Sequence, residues 1–182
     1  MLGDAPKAAA VVIALHGKEQ SMDITVRAYR PEDTAALTRI WNEVIEAGRA
    51  FPQLEFLDEE TGQAFFEAQT YTGVALADGV PVGLYILHPN NVGRCGHIGN
   101  ASYAVLEEYR GMHIGEALVR DSLHAAKDRG FRIMQFNAVV AENKAAITLY
   151  EKIGFVRLGT VPAGFLLKDG RYSDIILYYY VL

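Results

Sequence analysis

The stretch YRGMHIGEAL, residues 109–118, places Gly111 and Gly115 four residues apart, with Arg110 just ahead of them, and runs directly into a helical apolar pattern. Strand-like residues in HIGNASYAVL precede it, so the segment reads as a strand-to-helix turn whose free backbone N–H groups face whatever lies before the helix. Those amides and the positive end of the helix dipole together make an anion site. A nucleotide P-loop needs four residues between its glycines and then Lys-Ser or Lys-Thr, whereas three residues separate Gly111 from Gly115 and Glu116 follows. The three-glycine spacing of a dinucleotide fingerprint is absent as well.

A second set of residues lies further on. Asn143 stands where an N-cap would precede KAAITLYEKI, Tyr150 follows it by seven residues on the face of Ala146 and Ile147, and Gly154-Phe155 closes the segment. Cys95 and His97 sit two apart in a loop, but two ligands without partners do not make a metal site, so no metal is expected. The run Tyr178–Tyr180 reads as strand packing and Trp41 as a core residue of the first helix.

The turn and the Asn143–Tyr150 spacing together resemble the GCN5-related N-acetyltransferase (GNAT) family. Its loop reads Q/R-x-x-G-x-G/A, matched by Arg110 and Gly115, with His113 in place of the middle glycine. Its next landmark is an asparagine, a tyrosine seven residues later and then GF, matched by Asn143, Tyr150 and Gly154-Phe155. The likeness runs from about Asp23 to the end, and the segment Asn42–Phe56 is similar to the phosphinothricin and amino-acid N-acetyltransferase branch.

The resemblance implies acetyl-coenzyme A as cosubstrate and direct attack of a primary amine within a ternary complex. It assigns the cofactor diphosphate to the amides of Gly111, Met112, His113, Ile114, Gly115 and Glu116, with Arg110 beside them. The thioester and pantetheine fall to the backbone of Tyr103, Ala104 and Val105, the pantetheine arm to Asn143, and protonation of the leaving thiolate to Tyr150. If the middle position contributes only its N–H, a histidine serves there, because histidine tolerates left-handed backbone better than most residues. If the cofactor must approach the Cα closely, the imidazole obstructs it.

No residue stands out as the base that deprotonates the amine. His97, Glu46, Glu55 and Tyr103 have suitable chemistry, and each also reads as a surface or packing residue. Relatives that acetylate protein N-termini carry a glutamate five residues before the asparagine, where this chain has Ala138. The acceptor expected is therefore a small amine or amino acid, selected by the region Asn42–Phe56. A protein or peptide acetyltransferase is the alternative, and a non-catalytic acyl-coenzyme A sensor is the alternative from another class.

These residues need a frame. Periodicity and turn signals give the order β-α-α-β-β-β-α-β-α-β-β, an α/β fold with a mixed sheet, as a GNAT-like acyltransferase domain has. The domain is expected over residues 22–182, with 1–21 as an extension of unknown role. Within the extension, Ala8–Leu15 is the size of a signal-peptide core but lacks a basic flank and a small-x-small cleavage site. A net charge of −5 gives no basic stripe for nucleic acid, and no run approaches the roughly 20 apolar residues of a membrane helix. One cysteine excludes an internal disulfide and suits a reducing compartment, so the cytoplasm is the expected location. A homodimer is compatible with such a fold.

Overall fold

The computed structural model describes residues 22–182, so the extension expected over residues 1–21, with its apolar stretch, lies outside the described residues. The elements are β1 (Ile24–Ala28), α1 (Thr34–Ala47), α2 (Glu59–Glu67), β2 (Tyr71–Ala77), β3 (Val80–Pro89), β4 (Ile98–Val105), α3 (Ile114–Asp128), β5 (Ile133–Val140), α4 (Lys144–Ile153), β6 (Val156–Leu166) and β7 (Tyr172–Val181). This is the order expected from the sequence. Helix α2 starts at Glu59 because the Asp58 side chain caps it by accepting the Thr61 N–H at 2.8 Å, and it ends before Tyr71, which belongs to β2.

All seven strands lie in one sheet, in the order β1-β2-β3-β4-β5-β7-β6. Every neighbouring pair is antiparallel except β4 with β5. Residue alternation divides the sheet into two faces. Tyr85 and Tyr103 lie opposite each other and reach α3, where their hydroxyls meet Asp121 and Ser122 at 2.7 Å. Thr72, Ile86 and Ser102 line the other face, where the Thr72 hydroxyl donates to the Phe66 carbonyl of α2. Helix α1 shares that second face, burying Leu37, Ile40, Trp41, Val44 and Ile45. Gly62 lets α2 approach α1, since a Cβ there would lie 2.3 Å from Thr38 Oγ1.

The one parallel pair is also the shortest. β4 and β5 are in register only at Ile98↔Ile133 and Gly99↔Met134, after which both continue without pairing. A bulge between Phe136 and Val139 frees Asn137 and Ala138 from strict alternation and bends β5 away.

At the start of the chain described, Arg27 on β1 grips Asp33 with two hydrogen bonds of 2.7 and 2.9 Å, and Asp33 also accepts the Arg30 N–H. Burial alone would raise the Asp33 carboxyl, but the Arg27 guanidinium and the Arg30 amide overcome it and hold the group below the usual aspartate range. Asp33→Asn should therefore cost about 2 kcal/mol, or roughly 4–8 °C in Tm. A depressed carboxyl contributes fully above its unfolded pKa and loses the contribution as pH falls through its folded one. Thermal melts should show the gap to the unmodified protein narrowing between pH 7 and pH 3, and a constant gap would show that charge is not what the site uses.

Candidate active site

Because β4 and β5 part after Gly99, half the backbone groups on the following stretch of β4 have no ladder. Leu106 donates to Val82 and Asn90 donates to Ile98, so the even-numbered residues of β4 turn their N–H and C=O groups to β3. Ala101, Tyr103 and Val105 turn theirs to the gap. Ala104, opposite Leu84, is committed to β3, so open-edge pairing in the span 103–105 falls to Tyr103 and Val105. A cavity of about 270 Å³ passes through this gap. From the α3 side it is lined by Tyr103, Phe136, Asn143, Ala146 and Tyr150, and from the α1 side by Ala50, Phe51, Asn100, Ser102 and Asn137.

At the end of β4 a short 3-10 turn, Glu107–Tyr109, leads into the glycine segment, with its first N–H bound to Glu43 of α1 at 2.9 Å. Gly111 has φ +80°. His113 takes the left-handed conformation, φ 61° and ψ 6°, as the residue before α3, and no side chain caps that helix. The amides of Ile114, Gly115 and Glu116 are thus left for an anion. The imidazole is directed outward, 62% exposed, with Nδ1 3.8 Å from Glu116. Glu116 would oppose an anion, but Lys152 of α4 and Arg120 each bind it at 2.8 Å and hold its carboxyl at about 2. Arg110 and Met112 are exposed on the same turn.

Tyr150 packs between Phe136, at 4.7 Å between ring centroids, and Phe155 at 5.6 Å. Burial pushes its phenol well above the ordinary tyrosine range, so it is a protonated hydroxyl across the working pH range. The Asn143 Oδ1 accepts the Ala146 N–H at 3.2 Å, capping α4 and leaving its amide nitrogen for the cavity. Burial raises the Tyr103 phenol as well, and its hydroxyl is engaged by Ser122. That hydroxyl is not placed to act as a base.

The remaining base candidates lie elsewhere. Glu46 is paired with Lys168, Glu55 is exposed in the α1–α2 loop, and His97 sits at the opposite end of β4 beside Arg132 and Val181. Among the described residues the cavity lining contains no carboxylate and no imidazole. Ala138 is in the lining, so the position of the glutamate found in N-terminal acetylating relatives contributes only a methyl group. Nor do the described residues include a group of three or more His, Cys, Asp or Glu able to hold a metal ion.

The α1–α2 loop walls the α1 side of the cavity through Ala50, Phe51 and Pro52, and the β6–β7 turn braces the end of α1 behind it. Phe51 packs tilted against Trp41 with ring centroids 4.3 Å apart, and Asn42 clamps the loop through both N–H and C=O of Leu57, at 2.9 and 2.7 Å. The β6–β7 turn meets this loop, where Lys168 Nζ binds the Glu46 carbonyl at 2.9 Å and its carboxylate. Gly48, at φ +60°, is required there because a Cβ would lie 2.8 Å from that of Lys168. Sequence reasoning missed the amides Asn100 and Asn137. Asparagine is disfavoured in strands, and its appearance within HIGNASYAV and MQFNAVV was the available signal.

An open strand edge beside a cavity and an uncapped helix start following that strand suit the extended pantetheine and the diphosphate of acetyl-coenzyme A. Comparison with known proteins agrees. Residues 35–155 match the Acetyltransferase (GNAT) family. N-acetyltransferase aca1 of Schizosaccharomyces pombe is 30% identical over 169 residues, covering 83% of this chain and 81% of its own. L-amino acid N-acyltransferase MnaT of Escherichia coli is 26% identical, covering 84% and 90%. A solved GCN5-related N-acetyltransferase from Kribbella flavida aligns with a TM-score of 0.81 at 30% identity, covering 87% of this chain and 98% of its own. The family match begins in α1 and ends just beyond α4, enclosing both strands of the gap, and the chain belongs to the GNAT family of acetyl-coenzyme A-dependent N-acetyltransferases.

Proposed function

We propose that the enzyme acetylates the primary amine of a small molecule, an amino acid or a close relative of one, by direct attack within a ternary complex. The observation that carries this reading is the cavity through the β4–β5 gap, which runs from Tyr103, Asn143 and Tyr150 to a small chamber walled by Phe51, Ser102, Asn100 and Asn137. The likeness to an L-amino acid N-acyltransferase supports the same acceptor class.

Acetyl-coenzyme A supplies the activated thioester. The amides from Gly111 to Glu116 hold the diphosphate, with Arg110 beside them and the charge of Glu116 offset by Lys152 and Arg120. Tyr103 and Val105 pair the pantetheine through backbone groups, and the Asn143 amide nitrogen donates to it. As the N–C bond forms and the C–S bond breaks, the Tyr150 hydroxyl donates to the departing sulfur and is reprotonated from solvent. With no carboxylate or imidazole in the lining, the amine reacts from its neutral fraction and its proton leaves through water.

A peptide acceptor is the second reading, favoured by Leu54 and Phe56, which are 90% and 55% exposed on the α1–α2 loop. Mass spectrometry finding an added acetyl group on a peptide, without turnover of free amines, would select it. The reading also takes residues 22–182 as one domain, supported by their single sheet. Cytoplasmic location is supported by the free Cys95, and a homodimer by exposed Val156, Leu158, Val161 and Leu166 on edge strand β6, which light scattering would test. Among the described residues no helix is long and apolar enough to cross a membrane.

Three outcomes are expected. Thiol release from acetyl-coenzyme A should require an added amine, and Tyr150→Phe should lower kcat by about 10²-fold while calorimetric binding of acetyl-coenzyme A is kept; an unaffected kcat removes Tyr150 from the chemistry. The logarithm of kcat/KM should rise with unit slope up to the pKa of the amine itself, and a plateau near pH 6–7 would reveal an enzyme base. His113→Gly should change the acetyl-coenzyme A Kd by less than about threefold, since the turn binds through backbone amides and the imidazole is largely exposed; a gain of about 10²-fold would show that histidine obstructs the turn.

A further inference from the structure

The amides on the α1 face belong to a connected set of four. Asn137 Nδ2 donates to Asn90 Oδ1 at 2.5 Å, and Asn90 Nδ2 returns a longer bond to Asn137 Oδ1 at 3.4 Å. Asn100 Nδ2 donates to the same Asn90 oxygen at 3.4 Å, and Gln135 Nε2 donates to Asn137 Oδ1 at 2.9 Å. Asn100 and Asn137 line the cavity, whereas Asn90 and Gln135 stand behind them. Asn90 is itself fixed by its backbone N–H, which donates to Ile98 at 2.8 Å where β3 leaves the sheet.

A side-chain amide can turn over and exchange donor for acceptor, so an isolated asparagine in a binding site has no fixed polarity. Here the Asn90 oxygen takes an N–H from both cavity amides, so the two are coupled through Asn90 and turn their nitrogens towards it together. Asn137 Oδ1 is then filled by Asn90 and Gln135, while Asn100, which lines the chamber, has no donor to its Oδ1 among the described residues, leaving that oxygen for an amine N–H. Each cavity amide keeps one N–H to spare.

We infer that Asn90 is a positioning residue for the acceptor. It never needs to touch the substrate; it fixes which atoms of Asn100 and Asn137 the substrate meets. The inference rests on the small-amine reading. A merely structural role predicts loss of stability with both substrates affected alike, whereas positioning predicts an effect confined to the amine.

The test uses the full chain, Asn90→Leu and Asn90→Asp, with acetyl-coenzyme A for calorimetry and a panel of L-amino acids for thiol release. Aspartate keeps an oxygen for both cavity amides, and leucine keeps none. In Asn90→Leu, the KM for the best amino acid should rise about tenfold, with the acetyl-coenzyme A Kd within about twofold, and Asn90→Asp should restore most of the loss. Nitrogen-15 spectra should show the Asn100 and Asn137 NH2 signals displaced from the positions of a free asparagine amide in the unmodified protein and returned to them in Asn90→Leu. An unchanged amine KM, an equal rise in the acetyl-coenzyme A Kd, or Asn90→Asp as impaired as Asn90→Leu would overturn the inference. If the unmodified protein turns over no amino acid, the small-amine reading fails by itself, and retention of the NH2 signals in Asn90→Leu would then overturn the Asn90 inference independently.

Discussion

Parallel pairing of β4 and β5 stops after two residue pairs, and the rest of the molecule is arranged around that opening. A buried backbone N–H or C=O without a partner costs about 1–3 kcal/mol, so a sheet that parts in its middle must leave those groups to water or to a ligand. The gap is held open from both strands. The rings of Tyr103, Phe136 and Tyr150 wedge it on the α3 side, and the bulge at Asn137 and Ala138 bends β5 away on the other. The long antiparallel ladders of β2–β3–β4 and of β5–β7–β6 flank the opening, so the sheet tolerates it without loss of order.

The turn after β4 solves a related problem at a helix end. α3 begins without a capping side chain, and the residue at its start adopts a backbone conformation that glycine accepts most readily. Histidine is among the residues that tolerate it, and its imidazole stands largely exposed. Glu116, the acidic residue in the first helical turn, is neutralised by a cation from α4 as well as one from α3, so the anion turn and the helix carrying Tyr150 are tied by one carboxylate.

Much of this was legible in the sequence where the signal is local. The element order, the Gly154 helix stop, the cap at Asn143 and the Arg110–Gly115 turn all follow from residues within a few positions of one another. The gap was not legible, because HIGNASYAVL and FRIMQFNAVV give no sign of where their pairing ends. The division of Tyr103, Ala104 and Val105 between two neighbours depends on which edge each backbone group faces, and that requires the register with β3. The cavity amides were overlooked for a similar reason: Asn90, Asn100 and Asn137 are spread over 48 residues of chain and acquire meaning only together.

The Lys168 contact with Glu46, seated over Gly48, ties the β6–β7 turn to a segment 122 residues away, the end of α1 from which the loop walling the acceptor side departs. Neither can lengthen or shift alone without losing its fit to the other. Diversification of this enzyme towards new amines should therefore proceed by paired change, with the α1–α2 loop and the β6–β7 turn inherited as one exchangeable cassette, while the cofactor half remains fixed beneath it.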